Sequence, residues 1–245
     1  MLIEYFPSNV KMIDNSLYEL FVEKNINITD VITKIHFENI LEITFTLNKS
    51  HRTSYYLKQL FNDYFNLFKK HDLIEDVSVT GISSNINLGA GSSRFSTMSP
   101  NLANLLTGIL ESSGLLPNLN SKGIGKFIKV SEYFRFMKYT SGGQHFPHYD
   151  SDFELCDNFI TKYSLVMYHE DCNSGELYFC NDSRIENNKD LTTDWDRQAT
   201  EDEIYLKIKP GPLKLVIFPH TLCHGVLPFK EEERNIIRGD LIFLN

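Results

Sequence analysis

From Phe127 onward the chain is a series of short strand-like runs separated by turn residues: FIKV, EYFRFMKY, TKYSLVMYH, GELYFCN, EIYLKIK, LKLVIF and NIIRGDLIFL. Many short strands in close succession predict a β-sandwich or barrel, because each apolar sheet face needs a second layer to cover it. One polar stretch interrupts the series. Residues 182–203 are acidic, Asn-rich and nearly devoid of aliphatics, which predicts an exposed insertion between two strands.

The first half reads differently. Residues 53–71 place Tyr56, Leu57, Leu60, Phe61, Tyr64, Phe65 and Phe68 at three- and four-residue steps with polar residues between them. That is the pattern of an amphipathic helix whose aromatic stripe faces a core. Before it, Leu41–Leu47 alternates and is rich in β-branched residues, as a half-buried strand should be. Residues 83–97, with Gly89, Gly91 and several Ser and Asn, read as a loop. A second helix is expected over 100–113, with Ser99 as N-cap and Pro100 at the first helical position. The chain has 245 residues, no internal repeat and no evident linker, so one domain is expected over 1–245. Within it, residues 1–126 supply supporting strands and helices and residues 127–245 the β core.

A hydrophobic content of 42 % excludes a disordered chain. No apolar run approaches the roughly 18 residues that span a bilayer, and Met1–Pro7 lacks the basic start and long apolar stretch of a secretory signal. The expectation is therefore no membrane partner and a cytoplasmic location. A formal charge of -8 has the wrong sign for general attraction to phosphate backbones, which demotes nucleic acid as a partner. Cys156, Cys172, Cys180 and Cys223 contain no C-x-x-C pair, so buried thiols are expected rather than a zinc knuckle or a redox dithiol.

The chemistry is expected among the eight histidines, since a metal centre or an acid–base pair draws on His together with a carboxylate. His36, His51 and His71 have no matching histidine context and read as surface or core residues; His169 reads as a strand-end polar residue. The rest fall in two clusters. His148-Tyr149-Asp150 places an imidazole and a carboxylate two residues apart, on one side of an extended segment. LVIFPHTLCHGVLP carries His220 and His224 directly after an apolar strand. One ligand from that second cluster would complete two histidines and one carboxylate on one face of an octahedral ion, with three positions open, a set suited to non-haem Fe(II) and oxygen chemistry. His145 lies close to His148 but has no carboxylate two residues on.

These residues carry a family resemblance. The stretch from Tyr133 to Phe243 resembles the catalytic core of the iron(II)- and 2-oxoglutarate-dependent dioxygenases, in their prolyl 4-hydroxylase-like branch. Four features coincide in order. The aromatic strand Tyr133-Phe134-Arg135-Phe136 leads through Tyr139 and a glycine turn to His148-Tyr149-Asp150. The apolar strand SLVMY is followed by Gly175-Glu176, where the family usually has Gly-Gly-Glu. A strand ending in Phe218 leads to His224-Gly225, with Pro228 four residues after the histidine. Arg234 lies ten residues beyond His224, where the family places a basic residue, often Lys, and Arg238 follows at the same strand parity.

The resemblance implies a double-stranded β-helix, or jelly roll, with helices buttressing one sheet. It implies Fe(II) held by His148, Asp150 and His224, with His220 a non-ligand. It implies that Arg234 pairs with the distal carboxylate of 2-oxoglutarate, with Tyr139 a second contact and Arg238 the competing anchor. The implied reaction consumes O2, converts 2-oxoglutarate to succinate and CO2, and hydroxylates a C–H bond, with ascorbate as a candidate reductant. A prolyl or other peptide residue, in a peptide, protein or small-molecule substrate, is the leading substrate class. Nucleobase oxidation is the alternative and would need a local basic strip, for which Lys122, Lys126, Lys129, Arg135 and Lys138 form the densest cationic run. A reading of a different class is a jelly-roll binding or scaffold protein without turnover.

Overall fold

A computed structural model describes residues 11–12, 28–47, 50–76, 92–120, 125–155, 158–186, 195–231 and 233–244. The elements in order are β1 (Lys11–Met12), β2 (Ile28–Ile35), β3 (Leu41–Leu47), α1 (Ser50–Lys70), β4 (Glu75–Asp76), β5 (Ser92–Met98), α2 (Pro100–Ser112), α3 (Leu116–Leu119), β6 (Lys126–Val130), β7 (Tyr133–Thr140), β8 (His145–His148), β9 (Phe153–Glu154), β10 (Phe159–Tyr168), β11 (Leu177–Cys180), α4 (Ser183–Glu186), β12 (Ile204–Ile208), β13 (Lys214–Pro219), β14 (His224–Val226) and β15 (Glu233–Leu244). Two sheets form. The major sheet runs β1-β5-β7-β15-β10-β13-β3-β2, with β4, β6 and β9 paired at its margins, and the minor sheet runs β12-β11-β14-β8. This is the double-stranded β-helix, with helices packed on the outside of the major sheet.

The sequence runs explain the layering. Strand β10 is buried along most of its length because both of its faces are covered: Leu165 and Met167 point to the helices, Val166 and Tyr168 to the minor sheet. Hence SLVMY is a continuous apolar run rather than an alternating one. On the helix side, Leu57, Phe61, Phe65 and Phe68 of α1 pack with Leu102, Leu106 and Leu110 of α2 over Phe95 and Phe136 of the sheet. Phe95 lies at the centre of this layer, stacked on Phe136 at 4.8 Å and on Phe68 at 4.2 Å. The N-cap of α2 forms as expected, the Ser99 hydroxyl accepting from the Leu102 amide.

Two expectations need correction. Residues 92–98 are not loop: β5 pairs antiparallel with β7 along Ser92↔Tyr139 to Met98↔Tyr133. The run SSRFSTM lacks β-branched alternation, yet its small side chains fit against β7 while Phe95 fills the helix-side core; residues 83–91 lie outside the described residues. The stretch 182–203 is exposed at Ile185, Asp196, Arg197 and residues 200–202, as expected, but not throughout. Asp182 and Trp195 are buried, and Trp195 packs with Tyr178, Cys180 and Cys223 on the outer face of the minor sheet, flanked by the guanidinium groups of Arg197 and Arg184. His169 directly follows the last residue of β10, the strand-end polar position expected, and it is buried against the Phe61 ring. Cys172, Cys180 and Cys223 are buried free thiols; Cys156 lies outside the described residues. Among the described residues no helix is long and apolar enough to cross a membrane.

Truncating Phe95 to Ala removes the ring that joins α1 to the sheet. The expected loss is about 3–5 kcal/mol of unfolding free energy, read from urea denaturation, with the folded variant keeping its strand-rich circular dichroism.

Candidate active site

The backbone pairing of β14 with β8 sets His224 directly opposite His148, with a register irregularity before the next pair, Val226↔His145. The two imidazoles lie 4.3 Å apart between ring centroids, and Phe218 packs against His224 at 4.6 Å. Asp150, two residues past the end of β8, brings its carboxylate 3.8 Å from His148 Nε2 and 3.6 Å from His224 Nε2. One ligand atom from each of the three lies within 4.8 Å of the others.

The ring orientations are set by the backbone. His148 Nδ1 is 2.8 Å from the Phe146 carbonyl and His224 Nδ1 is 3.0 Å from the Leu222 carbonyl, the same two-residue step back in each case. A carbonyl only accepts, so both Nδ1 atoms carry the proton and the Nε2 lone pairs face Asp150. Burial and the neighbouring His148 push His224 down to about 3, against the opposing pull of Asp150. Burial acts to raise the Asp150 carboxyl, but Arg238, the two imidazoles and the Ser164 hydroxyl hold it well below the usual carboxylate range. The donor set at neutral pH is therefore an ionised carboxylate with a neutral imidazole of His224 beside it. Two imidazole nitrogens and one carboxylate, without a thiolate, fit a first-row divalent metal with open positions.

His220 is engaged elsewhere. Its Nδ1 is 3.0 Å from Asp152 Oδ1 and its Nε2 is 3.5 Å from Asp240 Oδ1, so both nitrogens face carboxylates. Burial opposes protonation, but the two partners hold its pKa above the ordinary histidine value. His145 begins β8, stacks on His148 at 4.2 Å and lines the cavity. His36 pairs with Glu42 at 3.0 Å, His71 is exposed, and the His51 side chain lies outside the described residues.

The cavity in front of the three residues is walled by Met137, Val166, Leu177, Phe218, Val226 and Ile236, with Tyr139, Tyr168 and Arg238 as its polar members besides the histidines. Arg234 and Arg238 share a face of β15, as their parity predicts, but they do different things. Arg238 binds the Asp150 carboxylate. Arg234 is only 1 % exposed and packs among Tyr139, Tyr168 and Phe229, its guanidinium carbon 5.0, 5.9 and 5.1 Å from their ring centres. Its Nη1 donates to the Gly175 carbonyl, while Nε and Nη2 are buried without a hydrogen-bond partner among the described residues. Gly175 has φ +69°, and a Cβ there would strike the Arg234 guanidinium, so glycine serves both the turn and the close approach. Two buried, unpaired guanidinium donors are costly unless a ligand acceptor completes them, and a carboxylate is the planar acceptor that matches. Burial pushes the Tyr139 and Tyr168 phenols up despite the nearby Arg234, so both hydroxyls keep their protons.

Sequence reasoning missed Tyr168 and Ser164. Both were legible in principle: they are the polar residues of YSLVMY that share parity with Val166, the cavity-facing position of β10.

No protein-family model matches the sequence, and no curated protein matches it at a significant level. Solved structures do match. A prolyl hydroxylase from Trichoplax adhaerens, solved with a peptide fragment of the hypoxia inducible factor oxygen degradation domain, aligns at a TM-score of 0.52 with 15 % identity, covering 84 % of each chain. A prolyl-4-hydroxylase from Pseudomonas putida aligns at 0.45 with 16 % identity, covering 75 % of this chain and 84 % of that one. The protein OsALKBH1 aligns at 0.49 with 10 % identity, covering 84 % and 100 %. The first of these establishes a shared fold over most of the chain.

His224 stays neutral in the folded, metal-free protein down to about pH 3, whereas an unfolded histidine takes up a proton below its ordinary value of 6.5. The unfolded state then binds more protons, so stability falls as pH drops from about 6.5 toward 3. Urea midpoints measured across that window should decline, and the decline should be shallower in His224→Gln.

Proposed function

We propose that this chain is an Fe(II)- and 2-oxoglutarate-dependent oxygenase that hydroxylates a C–H bond, with a peptide residue, proline foremost, as the substrate class. One observation carries the reading. A two-histidine, one-carboxylate set with both Nδ1 atoms anchored shares its cavity wall with the tyrosines that hold a buried, half-unpaired arginine.

In this reading His148, Asp150 and His224 hold the metal. Bound there, Fe(II) with 2-oxoglutarate and O2 supplies the oxidising chemistry, coupling formation of succinate and CO2 to oxygen insertion. Everything else is the protein's work. Arg234 offers Nε and Nη2 to the distal carboxylate of the co-substrate, and Tyr139 and Tyr168 add protonated hydroxyls beside it. The apolar wall excludes water, which strengthens each of these charge contacts. The likeness to a peptide-bound prolyl hydroxylase favours a peptide substrate. The cationic run favours nucleic acid little, because three of its members are neutralised internally: Lys129 pairs with Glu132 at 2.7 Å, Lys138 with Glu233 at 2.5 Å and Arg135 with Asp240 at 3.5 Å, while Lys126 is exposed. Lys122 lies outside the described residues.

Iron-dependent conversion of 2-oxoglutarate to succinate tests the enzyme reading against a binding module without turnover, and a mass-spectrometric screen of peptides and nucleosides for one added oxygen tests the substrate class. Asp150→Ala and His224→Ala should fold but lose Fe(II) binding, measured by metal content after desalting, while His220→Ala keeps its iron; the reverse pattern for the two histidines would exchange their roles.

Arg234→Ala should raise the 2-oxoglutarate requirement on the order of tenfold to a hundredfold, as expected for loss of a charge-assisted contact of about 1.5–3 kcal/mol. Fe(II) affinity without co-substrate should change little, and Arg234→Lys should recover part of the loss, since a point charge remains without the fork.

A further inference from the structure

Arg238 occupies a position that co-substrate anchoring does not explain. Its guanidinium binds Oδ1 of Asp150 and lies 3.4 Å from the Ser164 hydroxyl, which itself donates to Oδ2 of the same carboxylate. Both oxygens of the one acidic residue in the three-residue set are thus already held, one by a cation and one by a neutral donor. Across β7 and β15, Arg238 sits directly opposite Arg135, a like-charge pairing that would repel if left alone. Two carboxylates divide the pair: Asp150 takes Arg238, and Asp240, 3.5 Å from Arg135, takes the other. Asp240 also acts on Arg238 electrostatically, but among the described residues the carboxylate that Arg238 touches is Asp150, so its charge lies beside the proposed metal position.

Resting on the oxygenase reading above, we infer that Arg238 sets the redox poise of the iron, as a positioning residue that acts through Asp150 to keep the metal ferrous until the anionic co-substrate arrives. The physical reason is simple. A guanidinium hydrogen-bonded to a ligating carboxylate withdraws negative charge from the metal, and a nearby positive charge disfavours Fe(III) more than Fe(II) by Coulomb's law in a partly desolvated site. The damaging step it opposes is loss of one electron from Fe(II) to dioxygen, giving Fe(III) and superoxide. Arrival of a dianion next to the iron offsets the arginine's charge, so the protection is relieved when the co-substrate is in place. This differs from a purely geometric role, in which Arg238 would only hold Asp150 in one rotamer.

The experiment loads wild type, Arg238→Gln, Arg238→Met, Arg238→Lys and Ser164→Ala with Fe(II) under anaerobic conditions. It then measures the Fe(III)/Fe(II) midpoint potential by mediated titration and the rate at which Fe(II) is lost on exposure to air without 2-oxoglutarate. The two neutral variants should show a lower potential and oxidise about tenfold faster. Arg238→Lys, which keeps the charge, should stay near wild type, and Ser164→Ala, which removes one neutral donor to the carboxylate, should shift the potential the same way but clearly less than Arg238→Gln. Equal shifts in the Lys and Gln variants, a Ser164→Ala shift as large as that of Arg238→Gln, or neutral variants that take up no Fe(II) would each overturn the inference in favour of a geometric role. Wild type that binds no Fe(II) at all would instead overturn the oxygenase reading, and the inference with it.

Discussion

The pairing of β14 with β8 puts His224 opposite His148, and the chemistry of the cavity depends on that single register. Residues 76 positions apart in the chain become neighbours because a short three-residue strand has a defined partner, and a one-residue slip of β14 would turn His224 to the other face, away from His148. Two further contacts protect the arrangement. Gly225 lets β14 approach closely: a Cβ there would collide with the Tyr178 hydroxyl and fall 2.7 Å from the His145 carbonyl. The Phe146 and Leu222 carbonyls then fix each ring's tautomer, so the backbone that sets the register also sets which nitrogen faces Asp150.

Charge inside the barrel is arranged with little surplus. Asp150 meets Arg238, Asp240 meets Arg135, and His220 bridges Asp152 and Asp240, so the buried ions at this end of the major sheet are paired. Arg234 is the exception. Its partners are aromatic faces and one carbonyl, which stabilise the cation without satisfying all its donors. A protein built only for stability would not keep that group there, because an unpaired buried donor costs about 1–3 kcal/mol. The cost makes sense if a ligand completes the site.

Rigidity comes from the other side of the sheet. The rings of Phe61, Phe65, Phe68, Phe95 and Phe136 hold α1 against the strands whose opposite faces carry Met137, Tyr139 and Val166 into the cavity. The residues proposed to hold the co-substrate therefore sit on strands braced from behind, rather than on loops, which is what positioning to a fraction of an ångström requires.

Much of this was legible in the residues. Alternation and apolar runs located β3, β6, β7, β10 to β13 and β15, the helical stripe located α1, and Ser99-Pro100 located the start of α2, because these are local signals set by periodicity and capping. The His-X-Asp spacing and the two candidate histidines were also local. What the sequence could not settle was each choice between rivals, His220 against His224 and Arg234 against Arg238, and it did not bring in Tyr168. Those depend on which atoms meet across strands distant in the chain. Strand parity says only which face a side chain takes, and two residues of the same parity are indistinguishable until their partners are known. The short strands β8, β9 and β14 and the serine-rich β5 were illegible for the same reason: with too few residues to carry a period of their own, they are strands because their neighbours pair with them. Local chemistry chose the cast of residues, and long-range pairing set His220 between Asp152 and Asp240 and Arg238 on Asp150, while the Nε2 atoms of His148 and His224 face Asp150 and two donors of Arg234 have no partner among the described residues.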